Sequence, residues 1–214
     1  DSKKLAELTQ GNVKNINLSG GEVLLHPDVL EICKAARQTF PDSSINLFSN
    51  GILILSKGDD FWQFLQEHNI SVMCTKYPIN VDYEKIRQKA NEFGLNFKFL
   101  NNEKVVKTSY HIPFDSSGKQ DERENFINCF HANQCIGMHD GKLYTCSPAA
   151  NAHHFNKYFN ACMEISDKDY INIHEAKSLE EILAFLAKPI PFCKYCNVKA
   201  RTFGHDWQGS KKEK

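Results

Sequence analysis

Apolar positions in the first half of the chain switch between two spacings. Residues 1–9 carry Leu5, Ala6 and Leu8 on one helical face, and Gly11-Asn12 then turns the chain into Val13, Ile16 and Leu18. That run predicts a strand over about 13–18. Val29, Ile32, Cys33, Ala36 and Phe40 return to helical spacing. Pro27 suits the first helical position and Asp28 the positive helix N-terminus, while Pro41-Asp42 closes the helix. Ile45-Asn46-Leu47-Phe48 is a second strand, ended by Ser49-Asn50-Gly51. Asp59 is placed to cap a helix carrying Phe61, Phe64 and Leu65. Ile70 to Cys74 is a third strand. Asp82 opens a helix with Ile86, Ala90 and Phe93 inward, Gly94 stops it, and Leu95 to Leu100 is a fourth strand.

Strand and helix alternate at lengths suited to βαβ units, which predicts an α/β fold with a parallel sheet and right-handed crossovers. Ligands of such sheets gather at the C-terminal ends of the strands. Ser19-Gly20-Gly21-Glu22, Ser49-Asn50-Gly51 and Thr75-Lys76-Tyr77 all fall on that rim. Adjacent glycines leave backbone N–H and C=O groups open to a ligand, and Glu22 adds a negative charge suited to an amine.

The alternation fades after about residue 101. Residues 115–124 are polar and read as a linker or surface loop. His139 to Thr145 reads as a hairpin turning at Asp140-Gly141, which would bring Cys135 and Cys146 close. Ser178-Leu179-Glu180-Glu181 is a capping box for a helix expected to bury Leu179, Ile182, Leu183 and Leu186, and Pro189-Ile190-Pro191 stops it. Cys193-Lys194-Tyr195-Cys196 follows as a knuckle able to give two thiolates to one metal centre.

Composition changes this picture in one respect. The chain has 214 residues, 41% hydrophobic and 24% charged, with 26 basic against 26 acidic side chains. Zero net charge offers no electrostatic reason to expect nucleic acid or a membrane surface. No apolar run reaches the roughly 18 residues of a membrane span, and no secretory signal is present. Eight cysteines are many for this length. Without an export signal they point to a reducing cytoplasm and to metal-bound or unpaired thiols. Cys129, Cys135, Cys146, Cys193 and Cys196 are the metal candidates, and cysteine-only ligation suits zinc or an iron–sulfur cluster. Cys33 and Cys74 lie in apolar segments and read as buried small hydrophobes. Cys162 reads as structural, and His131, His153 and His154 as partly exposed and incidental, the alternative being a substitute metal ligand or a substrate contact.

Leu18-Ser19-Gly20-Gly21-Glu22-Val23-Leu24-Leu25-His26-Pro27 resembles the second barrel strand of radical SAM enzymes, with Val23 where that motif usually has proline. Ser49-Asn50-Gly51 resembles the turn after their third strand. The resemblance covers about 10–100 and implies a partial (β/α) barrel over 1–108. Gly20, Gly21 and Glu22 would then hold the amino group of S-adenosyl-L-methionine, and Ser49 and Asn50 its ribose or carboxylate side. Cys129 through Gly141-Lys142-Leu143-Tyr144-Thr145-Cys146 resembles the opening of SPASM and twitch extensions, which implies one auxiliary [4Fe–4S] cluster in a cysteine-rich domain over 109–214. The x5 position after Cys196 is Thr202, so a second cluster does not fit, and five cysteines compete for four places.

The family's Cys-x3-Cys-x2-Cys motif, which binds the catalytic cluster, does not occur in the sequence. The first residue is Asp1, and the segment reads as a piece of a longer chain, inactive by itself. The intact protein is expected to cleave S-adenosylmethionine reductively to a 5′-deoxyadenosyl radical. It would take electrons from a flavodoxin or ferredoxin and abstract hydrogen from a peptide or small-molecule substrate. No residue reads as a general base. The competing expectation is a zinc-stabilised, non-catalytic binding module on an α/β scaffold.

Overall fold

The computed structural model describes residues 1–132, 134 and 136–209. In chain order the elements are α1 (Ser2–Thr9), β1 (Asn15–Leu18), α2 (Val29–Thr39), β2 (Ser44–Ser49), α3 (Asp59–Glu67), β3 (Ile70–Cys74), α4 (Tyr83–Glu92) and β4 (Phe97–Phe99). They continue with β5 (Thr108–His111), α5 (Glu122–Asn128), β6 (Gly137–His139), β7 (Lys142–Tyr144), α6 (Ser147–Ala150), α7 (Ala152–Phe159), β8 (Ile171–Asn172), α8 (Leu179–Leu186) and β9 (Thr202–Asp206). The chain divides into two compact units, one built mainly from Gln10–Ser109 together with Asp206 onward, the other from Lys3–Thr9 with Tyr110–His205.

The first unit is α/β. β1 to β4 form one parallel sheet in the order β1-β2-β3-β4. Ile45, Leu47, Ile70 and Val72 are almost wholly buried in it. Cys33, Phe61, Trp62, Leu65, Ile86 and Ala90 from the helices complete the core. A strand buried on both faces reads as a near-continuous apolar run, which is why 45–48 and 70–74 are so clear in the sequence. At the N-terminal end of the sheet the Arg37 guanidinium donates to the carbonyls of Pro41 (2.7 Å), Ser43 (2.9 Å), His68 (3.0 Å) and Asn69 (2.9 Å). This ties two helix ends together with one rigid fork.

Three local expectations are corrected. α2 begins at Val29, not Pro27, because a 3-10 turn over Val23–Leu25 intervenes. Gly58, not Asp59, is the N-cap of α3. Asp82 does cap α4, accepting the Lys85 N–H at 2.9 Å.

The second unit has two small cores. In one, α1 contributes Leu5 and Leu8, packed against Leu143, Ile173, Ala176, Ile182 and Leu186. Leu183 is 54% exposed, against expectation, and Phe185 packs inward in its place. Residues 115–124 are not only a loop, since α5 starts at Glu122 under an Asp121 cap that accepts the Glu124 N–H at 2.7 Å. The hairpin β6–β7 turns at Asp140 and Gly141, both with positive φ (47° and 69°). That left-handed pair is what a tight two-residue hairpin requires. The capping box is present: Ser178 Oγ accepts the Glu181 N–H at 3.3 Å and Glu181 Oε2 the Lys177 N–H at 2.8 Å. Among the described residues no helix is long and apolar enough to cross a membrane.

Candidate functional site

Ser19-Gly20-Gly21 follows β1, Ser49-Asn50-Gly51 follows β2 and Thr75-Lys76-Tyr77 follows β3, because parallel strands deliver all their C-terminal loops to one rim. Ser19, Gly20, Gly21, Ser49, Asn50, Thr75 and Tyr77 line a cavity of about 560 Å³ there, with Phe48, Ile52, Ile79, Trp207 and Gly209. That is the size range of small-molecule sites. A second, apolar hollow of about 460 Å³ lies beside it, sharing Ser19 and Gly20 and lined by Glu22, Leu25 and Ile32 among others.

Glu22 is on the second hollow rather than the first, and its carboxylate holds the rim together. Oε1 accepts the Leu24 N–H at 3.2 Å and the Ser49 hydroxyl at 3.0 Å, and Oε2 accepts the Asn50 N–H at 2.8 Å. One acid thus clamps the first loop to the second with charge-assisted bonds. Ser49 Oγ in turn accepts the Gly51 N–H at 3.0 Å, and Asn50 Oδ1 accepts the Ile52 N–H at 2.9 Å. Tyr83 ties the second loop to the third: its hydroxyl accepts the Tyr77 N–H at 2.9 Å and lies 3.4 Å from the Asn50 carbonyl. Burial raises its phenol pKa.

The glycines of the rim differ in kind. Gly51 has φ +85°, and a Cβ there would meet Ile86 and Tyr83 at 3.2 Å and Cys74 Sγ at 3.3 Å, so the fold itself requires glycine. Gly20 and Gly21 have no positive φ, and a Cβ on either would meet no protein atom within 4 Å. Neither backbone conformation nor internal packing demands glycine at these positions.

In the second unit, Cys129, Cys146, Cys193 and Cys196 are electrostatic neighbours. Burial pushes the Cys193 and Cys196 thiols up to about 12, and the fields of Cys146 and Cys129 add to both. The knuckle is held by Asn125, 6% exposed, whose Nδ2 donates to the carbonyls of Cys193 (2.9 Å) and Cys196 while Oδ1 accepts the Val198 N–H at 3.3 Å. The segment before α5 wraps the same turn, with Asp115 N–H on the Tyr195 carbonyl at 2.8 Å and Gln120 N–H on the Lys194 carbonyl at 3.2 Å. Yet among the described residues no three His, Cys, Asp or Glu side chains stand in metal-ligating geometry. The field couplings establish neighbourhood and not ligation. Cys135 lies outside the described residues.

Other cysteines and histidines sort simply. Cys33 and Cys74 are fully buried. Cys162 is exposed, in the stretch that leaves α7 through Asn160 (φ 49°), and no described disulfide uses it. His131 hydrogen bonds the Tyr110 hydroxyl, and burial, then the Arg201 charge, holds its pKa below the usual value. Trp207, stacked on Tyr77 at 5.3 Å between centroids, carries no sequence signal for the rim, because it reaches it from 130 positions along the chain through the Trp207 N–H on the Lys107 carbonyl at 2.8 Å. No family model matches the chain, and no curated protein matches it either.

Proposed function

We propose that the rim cavity binds S-adenosylmethionine, as the working site of a radical SAM enzyme, and that the second unit holds one auxiliary [4Fe–4S] cluster. The observation that carries the reading is the bare Gly20-Gly21 backbone on the cavity, glycine for no reason internal to the fold. The consecutive strand order adds support, since it is that of an arc of a barrel and not of a doubly wound sheet.

In this reading the carbonyls of the Gly20-Gly21 turn receive the cofactor's ammonium group. Glu22 sets the turn against Ser49 and Asn50, so its role is positioning as much as contact. Asn50, with its amide oriented by Ile52, presents Nδ2 to the ribose or carboxylate side. Bound and reduced, such a cofactor supplies a 5′-deoxyadenosyl radical. The chain carries no Cys-x3-Cys-x2-Cys, so its own residues account for binding and not for radical formation.

Cys129, Cys146, Cys193 and Cys196 have the donor chemistry of a cubane cluster. Loading requires their thiol protons to leave, and Asn125 keeps the Cys193–Cys196 turn in place meanwhile.

Calorimetric titration with S-adenosylmethionine tests the site. Binding by the chain, weakened tenfold or more by Gly21→Ala and by Glu22→Ala, is the expected result. Equal binding by all three proteins would remove the role given to both residues. Anaerobic iron, sulfide and zinc assays test the cluster. About four iron and four sulfide per chain are expected, whereas one zinc without sulfide would favour the zinc-stabilised binding module.

A further inference from the structure

The surface of the second unit carries an arginine with no part in the cofactor or cluster site. The Arg201 guanidinium carbon lies 5.5 Å from the centre of the Phe130 ring and 5.7 Å from that of Phe203. Both rings stay open to solvent, Phe130 at 38% and Phe203 at 71% exposure. Tyr110 packs on both, 5.0 Å from Phe130 and 6.1 Å from Phe203 between centroids. Arg201 is held through its backbone, its N–H on the Val198 carbonyl at 3.3 Å. The patch is thus built within the fold, which lowers the entropic penalty of binding to it.

Scattered exposed apolar side chains are ordinary, but here two open phenyl rings meet at one cation. Aromatic and arginine side chains are also what protein interfaces concentrate. The ring contacts engage the guanidinium by its faces. Its N–H edge makes one long bond, Nη2 to the Asn128 carbonyl at 3.4 Å, and among the described residues no carboxylate pairs with Arg201.

A purely apolar partner would cover that edge without an acceptor, at the penalty of an unpaired charge. The partner must therefore bring an anion. Lys199, two positions earlier, is already paired with Glu124 at 2.7 Å, so Arg201 offers one unmatched charge. A carboxylate matches it one to one and can take the edge bidentately, whereas phosphate groups are recognised by clusters of arginines. Side chains two residues apart on an extended strand share a face at a spacing of about 6.6 Å. That is close to the distance of each ring from the guanidinium.

We propose that Phe130, Arg201 and Phe203 dock an extended acidic peptide, with a Glu or Asp carboxylate on the Arg201 edge and apolar side chains two residues to either side on the phenyl rings. The assignment requires neither the S-adenosylmethionine site nor the cluster.

The probes are acetylated x-Ala-Glu-Ala-x amides, with x as Leu or Phe, beside the same peptides with Gln or phosphoserine at the centre. They are titrated into the whole chain by calorimetry. A Glu peptide should bind at least tenfold more tightly than its Gln counterpart, the size of a charge-assisted hydrogen bond. Arg201→Gln should abolish that preference. Arg201→Lys should keep only part of it, since an ammonium cannot form the bidentate pair. Phe203→Ala should weaken Glu and Gln peptides alike. Its urea unfolding midpoint should stay at the parent's, because the ring is largely exposed, so that lost docking is separated from lost fold.

Glu peptides that bind no more tightly than their Gln counterparts, or an undiminished preference in Arg201→Gln, overturn the proposal. Tighter binding of the phosphoserine peptides would replace it with a phosphate site. Sedimentation velocity tests the other occupant. A parent dimer that Phe203→Ala converts to a monomer would mean that a second copy of the chain covers the patch, and would overturn the proposal as well.

Discussion

At the scale of single residues, the rim separates two uses of glycine. Gly51→Ala must place a Cβ at φ +85° against Ile86, Tyr83 and Cys74, and should lower stability by about 2 kcal/mol or more. Gly20→Ala and Gly21→Ala meet nothing and need no unusual φ. They should leave stability unchanged or raise it by about 0.5 kcal/mol through the unfolded chain, while ligand binding falls. Urea unfolding of the three variants beside their binding isotherms checks the contrast. A large stability loss in Gly20→Ala would show that the turn is structural after all. The Gly-Gly-Glu turn was legible in the sequence, but the geometry of its acid was not. Which backbone N–H groups Glu22 meets depends on β1 and β2 lying in register, Leu18 opposite Leu47, and no local pattern encodes that.

At the scale of elements, the cysteine knuckle depends on a helix that the sequence does not announce. α5 lies in a polar stretch, and its one buried side chain is an asparagine, so no apolar stripe marks it. Asn125→Ala would leave the Val198 N–H without its acceptor and take the amide donor from the Cys196 and Cys193 carbonyls, the latter keeping the Cys196 N–H at 3.2 Å. A loss of about 3 kcal/mol is expected, together with lower metal content after reconstitution, measured by unfolding and by elemental analysis. The parallel sheet has its own pH signature. Burial pushes Cys33 from 9.0 up to about 11, and pushes Cys74 up to about 12 with help from the Glu22 charge. Above pH 9 the unfolded chain sheds thiol protons that the folded chain keeps, so stability is full below pH 9 and is lost as pH rises toward 11–12. Each thiol contributes at most about 1.4 kcal/mol per pH unit. Urea unfolding between pH 8.5 and 10.5 should show the decline, and Cys33→Ala should make it shallower, Cys74 keeping its share.

At the scale of the whole molecule, two units with separate cores imply separable stabilities. Tyr144, Phe192 and Tyr195 in one core of the second unit pack against Cys146, Cys193 and Cys196. If those thiols bind metal as proposed, the metal would stabilise that unit by mass action and not the core of the parallel sheet. Calorimetry of metal-free and reconstituted protein should show one transition moving up and the other fixed, and chelation should reverse the shift. A uniform shift of both transitions would mean that the two units unfold together. The spacing names five candidate cysteines; among the described residues folding brings Cys129, Cys146, Cys193 and Cys196 into one electrostatic neighbourhood, and Cys135 lies outside the described residues.

By itself the sequence determined the α/β class, the order and rough bounds of the four parallel strands, the hairpin turn at Asp140-Gly141 and the capping box at Ser178. Each of these rests on interactions within a few residues or on a periodic apolar pattern, and both are written locally. Tertiary structure decided the clamp at Glu22, the knuckle held by Asn125 and the aromatic wall of Tyr77 and Trp207. These join residues 27 to 130 positions apart, and a one-dimensional pattern carries no record of which distant groups share a hydrogen bond or a ring face.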